Sequence, residues 1–158
     1  MISSPSRKSS DHGNVLTGQG LYSTTREGGG VYVNLSPDAG AVCSLANNIV
    51  AFNDGGLHWS GGAPSLSHND VFGNGQDYPH VGDATGTNGN ISLDPLFVDH
   101  AGSDYHLLPL SPCVDAGDDL VVSGASDQDG AFRIQGRDVD MGAYEFTIDY
   151  HRTVADAA

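Results

Sequence analysis

A chain of 158 residues with 22 glycines, 38% hydrophobic residues and a formal charge of −14 fits one domain of turn-dense β structure rather than packed helices. Eighteen Asp and two Glu stand against six Lys and Arg, with no lysine after Lys8, so a phosphate-binding surface and with it nucleic acid as a partner are excluded, and anionic membranes are disfavoured. No apolar run approaches the length of a membrane span, and Met1 to Ser10 lacks the apolar stretch of a signal peptide, so export would rest on a signal upstream of Met1.

In chain order, residues 1–13 are polar and read as a disordered or linker start, and residues 14–75 as repeating strands. Gly29-Gly30-Val31-Tyr32-Val33-Asn34 returns as Gly55-Gly56-Leu57-His58-Trp59-Ser60, 26 positions later. Alternation along these strands sends Val31 and Val33 inward above Leu57 and Trp59, and leaves Tyr32 and His58 stacked outside. Asn48 to Asn53 returns as Asn69 to Asn74, 21 positions later, and Leu45 maps onto Leu66 with the same offset. Two alignments of these strands stay open, one with Val50 over Val71 and one with Ile49 over Val71. Asn48/Asn69 and Asn53/Asn74 are expected to stack as amide ladders at corners rather than to bind ligand. A period in the low twenties, with two or three short strands per period and Asn or Gly at the corners, suits one coil of a parallel β-helix, in which neighbouring coils bury each other's inner faces. Residues 76–90 break the pattern and read as a long loop. Residues 91–146 read as an acidic closing segment, with ten Asp between Asp94 and Asp140, and residues 147–158 as a tail.

The closing segment carries a resemblance. Asp94-Pro95-Leu96-Phe97-Val98-Asp99, Asp104-Tyr105-His106-Leu107-Leu108-Pro109, Ser111-Pro112-Cys113-Val114-Asp115-Ala116-Gly117, Asp129-Gly130 with Arg133, and Val139-Asp140-Met141-Gly142-Ala143-Tyr144-Glu145-Phe146 resemble, in order and spacing, the C-terminal region of bacterial exported right-handed parallel β-helix repeat proteins, where it precedes a surface-anchoring region. The resemblance implies an all-β, right-handed parallel β-helix fragment with a loop-rich acidic closing segment, secreted or held at the cell surface. It implies a polysaccharide or cell-surface glycan as partner, and the open end of such a stack gives a second copy a surface to join. Relatives of this solenoid include polysaccharide lyases and hydrolases, so an extracellular binding or structural module stands beside a hydrolytic enzyme as the alternative.

Asp127-Gln128-Asp129-Gly130 opens like a calcium loop but lacks the downstream Glu of an EF-hand. A looser Ca²⁺ site built from Asp115, Asp118, Asp127 and Asp129 competes with an Asx-rich turn. Arg133 is expected to fork onto Asp140, Glu145 or Asp115 rather than onto substrate. The seven His form no zinc-protease pattern. His58, with Asp54 and Asp70 beside Tyr32, forms the candidate acid–base set of an outer face, against a reading as ordinary exposed turn residues. Tyr32 and Tyr78 are candidate platforms for a sugar ring, whereas Trp59 is expected in the core. Cys43 alternates with inward Leu45, and Cys113 follows Ser111-Pro112 in the closing segment. A disulfide between them would tie the closing segment to a coil, and export would permit it; the alternative is two buried free thiols.

Overall fold

Short apolar runs bounded by Gly, Asn and Asp make strands of three to five residues. The computed structural model describes residues 8–12, 15–17, 30–35, 42–122 and 124–147, the first two stretches by backbone alone. The described chain is all-β, with one 3-10 turn at Asp119–Val121. β1 (Lys8–His12), β4 (Val42–Ala46) and β7 (Ser65–Ser67) form one parallel sheet in that order. β2 (Val15–Thr17), β5 (Ile49–Ala51) and β8 (Asp70–Phe72) form a second, and β3 (Val31–Leu35) with β6 (Leu57–Gly61) a third. β9 (Phe97–Asp99) and β10 (Asp104–Leu107) make an antiparallel pair. Lys8–His12, expected in the disordered start, is a strand because its backbone finds a full register on β4, from Lys8 opposite Val42 to His12 opposite Ala46.

The registers settle the open alignment. Val31 lies on Leu57, Tyr32 on His58 and Val33 on Trp59, and Val50 lies on Val71 rather than Ile49. The corners repeat with the strands: Asn47, His68 and Gly89 all have positive φ at intervals of 21, and so do Phe52 and Gly73. Each first-set corner is followed by an Asn of the buried ladder. Asn69 Oδ1 accepts from the backbone N–H and the amide of Asn48 at 3.1 and 3.0 Å, and Asn90 Oδ1 accepts from the same two groups of Asn69 at 3.0 Å each. The second ladder runs from Asn53 to Asn74 and ends on a carboxylate, Asp77 Oδ1, which accepts from Asn74 N and Nδ2 at 3.0 and 2.9 Å. Residues 76–90 hold no strand, but they stay in register with the repeat: Gln76 and Asp77 accept from Gly56 and Leu57 at the start of β6, and Ile91 pairs in parallel with Asp70. The loop only varies the chain between two corners that keep the spacing.

Two cores follow from alternation. Cys43, Leu45, Val50, Leu57, Leu66 and Val71 fill the space between the three sheets, with Trp59 and Tyr78 packed against them. Ile49 and Ala51 point the other way and meet Phe97, Leu107, Cys113 and Met141 of the closing segment. All three residues of β5 are buried because that sheet is covered on both faces.

Candidate functional site

The outer face of the β3–β6 sheet presents a row of rings. Tyr32 and His58 occupy paired positions on adjacent strands, with ring centroids 5.1 Å apart, and His80 follows 5.9 Å beyond His58. Tyr32 is 50% exposed and its hydroxyl lies 2.9 Å from Ser60 Oγ. His80 is exposed, whereas His58 between them is buried, with Nδ1 unpartnered. The row is an aromatic ledge with polar edges.

The expected acid–base set does not assemble on this face. Asp54 is exposed in the turn before β6 and makes no hydrogen bond or ion pair to His58. Asp70 lies on β8, in a different sheet, opposite Ile49, and the closing segment buries it completely. Its Oδ1 accepts from Leu93 N at 3.1 Å, and its Oδ2 accepts from Cys113 Sγ at 3.4 Å. Burial pushes the Asp70 carboxyl up to about 7, and burial with Asp70 beside it pushes the Cys113 thiol up as well. Tyr78 lies away from this row: it is half-buried against the inner core, and burial pushes its phenol up to about 12.

The expected disulfide is absent. Cys43 and Cys113 are both buried and form no disulfide, and they lie in the two different cores, one on each side of the β2–β5–β8 sheet. Alternation does send Cys43 inward, but Cys113 approaches the opposite face.

Of the four aspartates proposed for Ca²⁺, three are engaged by backbone donors and the fourth by an imidazole. Asp115 Oδ1 accepts from Arg137 N and Asp138 N, and Asp118 Oδ1 from Leu120 N. Asp127 Oδ1 accepts from Asp129 N and Ala131 N, and its Oδ2 from Glu145 N. Asp129 Oδ2 lies 2.8 Å from His106 Nε2. Among the described residues no three His, Cys, Asp or Glu side chains converge as a metal site. Arg133 donates to Glu145 Oε1 at 2.9 Å and to Gly142 O at 2.6 Å, an internal fork as expected. Burial pushes the Glu145 and Asp140 carboxyls up despite that guanidinium.

Sequence reasoning missed the His106 clamp. Its Nδ1 lies 2.5 Å from Asp104 Oδ1, its Nε2 faces Asp129, and its ring sits 4.1 Å from that of Tyr144. The two carboxylates hold the imidazole above its usual range. Asp104-Tyr105-His106 signals half of this clamp; Asp129, 23 positions on, carries no local sign of the other half. No helix among the described residues is long and apolar enough to cross a membrane. Compared with protein-family models, with curated proteins and with solved structures, the chain matches none.

Proposed function

We propose that this chain is a module of an extracellular bacterial right-handed parallel β-helix protein and that it binds carbohydrate without turning it over. The three parallel sheets, the corners recurring every 21 residues and the stacked Asn side chains support the β-helix reading, and the closing-segment resemblance supports its surface location. The ring row Tyr32–His58–His80 carries the binding reading, because an exposed ring face complements the apolar face of a pyranose while Ser60 and the imidazole edges serve its hydroxyls. The net charge of −14 favours neutral over anionic polysaccharides. The alternative, a polysaccharide lyase or hydrolase, is weakened because Asp70 is sealed in another sheet and leaves His58 and Asp54 as an incomplete pair.

Affinity electrophoresis through gels cast with neutral polysaccharides tests this. Retardation that Tyr32→Ala or His80→Ala weakens about tenfold, a loss of roughly 1.4 kcal/mol, is the expected result. Equal retardation of both variants and the parent, or none on any polysaccharide, would overturn it. Release of reducing ends during the same incubation would favour the enzyme.

A further inference from the structure

The chain contains the dipeptide Asn-Gly twice in its described part, at Asn74–Gly75 and Asn88–Gly89, and the fold treats the two oppositely. Asn-Gly is the sequence most open to succinimide formation, because glycine has no side chain to obstruct attack of its backbone nitrogen on the preceding side-chain amide. Whether that attack occurs depends on how firmly the amide and the glycine N–H are held.

At Asn74 every participant is held. Its Oδ1 accepts from the N–H and amide of Asn53, its Nδ2 donates to Val50 O at 2.9 Å and Asp77 Oδ1 at 2.9 Å, and the Gly75 N–H donates to Asn53 O at 2.8 Å. At Asn88 almost none is. The residue is exposed, its Nδ2 makes one long contact of 3.5 Å to Leu66 O, and among the described residues no group accepts from the Gly89 N–H. A potential base lies against the same glycine. The His68 ring packs so closely that a Cβ on Gly89 would come within 2.5 Å of Nε2, and His68 Nδ1 is buried with no partner. His68 and Gly89 are successive corners of one column, both with positive φ, which is why the imidazole of one covers the backbone of the next.

We propose that Asn88–Gly89 is a site of intramolecular deamidation, with His68 the base that starts it. The Gly89 nitrogen gives its proton to the imidazole and attacks Asn88 Cγ. The bond from Cγ to the amide nitrogen breaks, the imidazolium returns the proton to that nitrogen, and ammonia leaves a succinimide. Water then opens the ring to aspartate or isoaspartate. The isoaspartate product adds a methylene to the main chain where Asn88 O accepts from His68 N at 3.0 Å, next to the rung that Asn90 supplies to Asn69. The modification therefore loosens the last step of the buried ladder and adds a charge at the exposed corner. It also creates a substrate for a carboxyl methyltransferase that recognises isoaspartyl residues.

The test is peptide mapping of the full chain after incubation in mildly alkaline buffer. An endoproteinase that cuts before aspartate separates the two sites, in peptides beginning at Asp70 and Asp83. In folded protein Asn88 is expected to gain about 1 Da at least about tenfold faster than Asn74, and the two rates should converge in urea, where local structure no longer protects either site. His68→Gln should slow conversion at Asn88 by about tenfold and leave Asn74 unchanged. Equal rates at the two sites in folded protein would overturn the proposal, and that comparison needs no variant to fold. An unchanged Asn88 rate in folded His68→Gln would overturn the role of the imidazole.

Discussion

The stack and the closing segment solve one problem by different chemistry. Both leave backbone groups at their turns for side chains to satisfy. In the stack, side-chain amides serve neighbours one period away: Asn69 alone accepts from Asn48 and donates to Leu45 O, Ser67 O and Asn90 Oδ1. In the closing segment, carboxylates collect backbone N–H groups nearby and across the segment: Asp119 from Val139, Asp140 from Asp115 and Phe146, Asp127 from residues 129, 131 and 145. An amide both gives and takes, so it can be repeated. A carboxylate only takes, so it closes a turn and ends there.

That contrast can be broken at its strongest point first. Asn69→Ala removes five side-chain hydrogen-bond contacts at the buried ladder, two accepted from Asn48 and three donated to Leu45 O, Ser67 O and Asn90 Oδ1, and at about 1 kcal/mol each a loss of about 5 kcal/mol, comparable to a small domain's whole margin, is expected in urea unfolding. The same truncation at half-buried Asp115, where water can replace the carboxylate, should cost only about 1–2 kcal/mol.

The next effect is on pH. The Asp70 carboxyl titrates near 7 in the folded chain against an ordinary 3.8, so the folded state keeps a proton that the unfolded chain has released. Its contribution to stability is full below about pH 4 and is lost as pH rises to about 7, a fall of roughly 4 kcal/mol. His106 acts in the same direction: the clamp's contribution is full below the ordinary value of 6.5 and is lost as pH rises beyond it through the higher value of the folded state. Melting temperature should therefore fall between pH 5 and pH 8, and Asp70→Asn should flatten most of that slope. A slope unchanged in Asp70→Asn would show that the carboxyl is not protonated in the fold.

The smallest expected effects concern the closing segment. Because its aspartates are already engaged, the melting temperature in excess chelator and in millimolar Ca²⁺ should agree to within about 1 °C; a rise with Ca²⁺ would mean that the backbone contacts give way to the ion. Alkylation of denatured, unreduced protein should label both Cys43 and Cys113, since the β2–β5–β8 sheet lies between them.

What could be read from the residues was what repeats. The Gly-Gly strands, the stacking of Tyr32 on His58 and the ladders at intervals of 21 all left a mark in the sequence, and Arg133, one of two cations in an acidic segment, could be read as pairing with a carboxylate there. The third rung, Asn90, was legible by the same spacing, but the Gly, Asp and Thr around it masked the period. The corners were not legible, because Asn47, His68 and Gly89 share a backbone conformation and no side-chain type. Asp70 and Cys113 were misplaced for a deeper reason: alternation tells that a side chain leaves the inner core, but not that a segment 43 residues later covers it.

The second ladder's end has a consequence for where the repetition can stop. Asn48, Asn53 and Asn69 each direct a backbone N–H and an amide hydrogen at the Asn 21 positions on, so each of these rungs is complete only with its successor in place. At Asn74 the acceptor is instead Asp77, three positions on. Replacing an amide nitrogen by oxygen turns a residue that would ask for another rung into one that asks for none, and a stack read from its N-terminal end receives its stop signal in a single side chain.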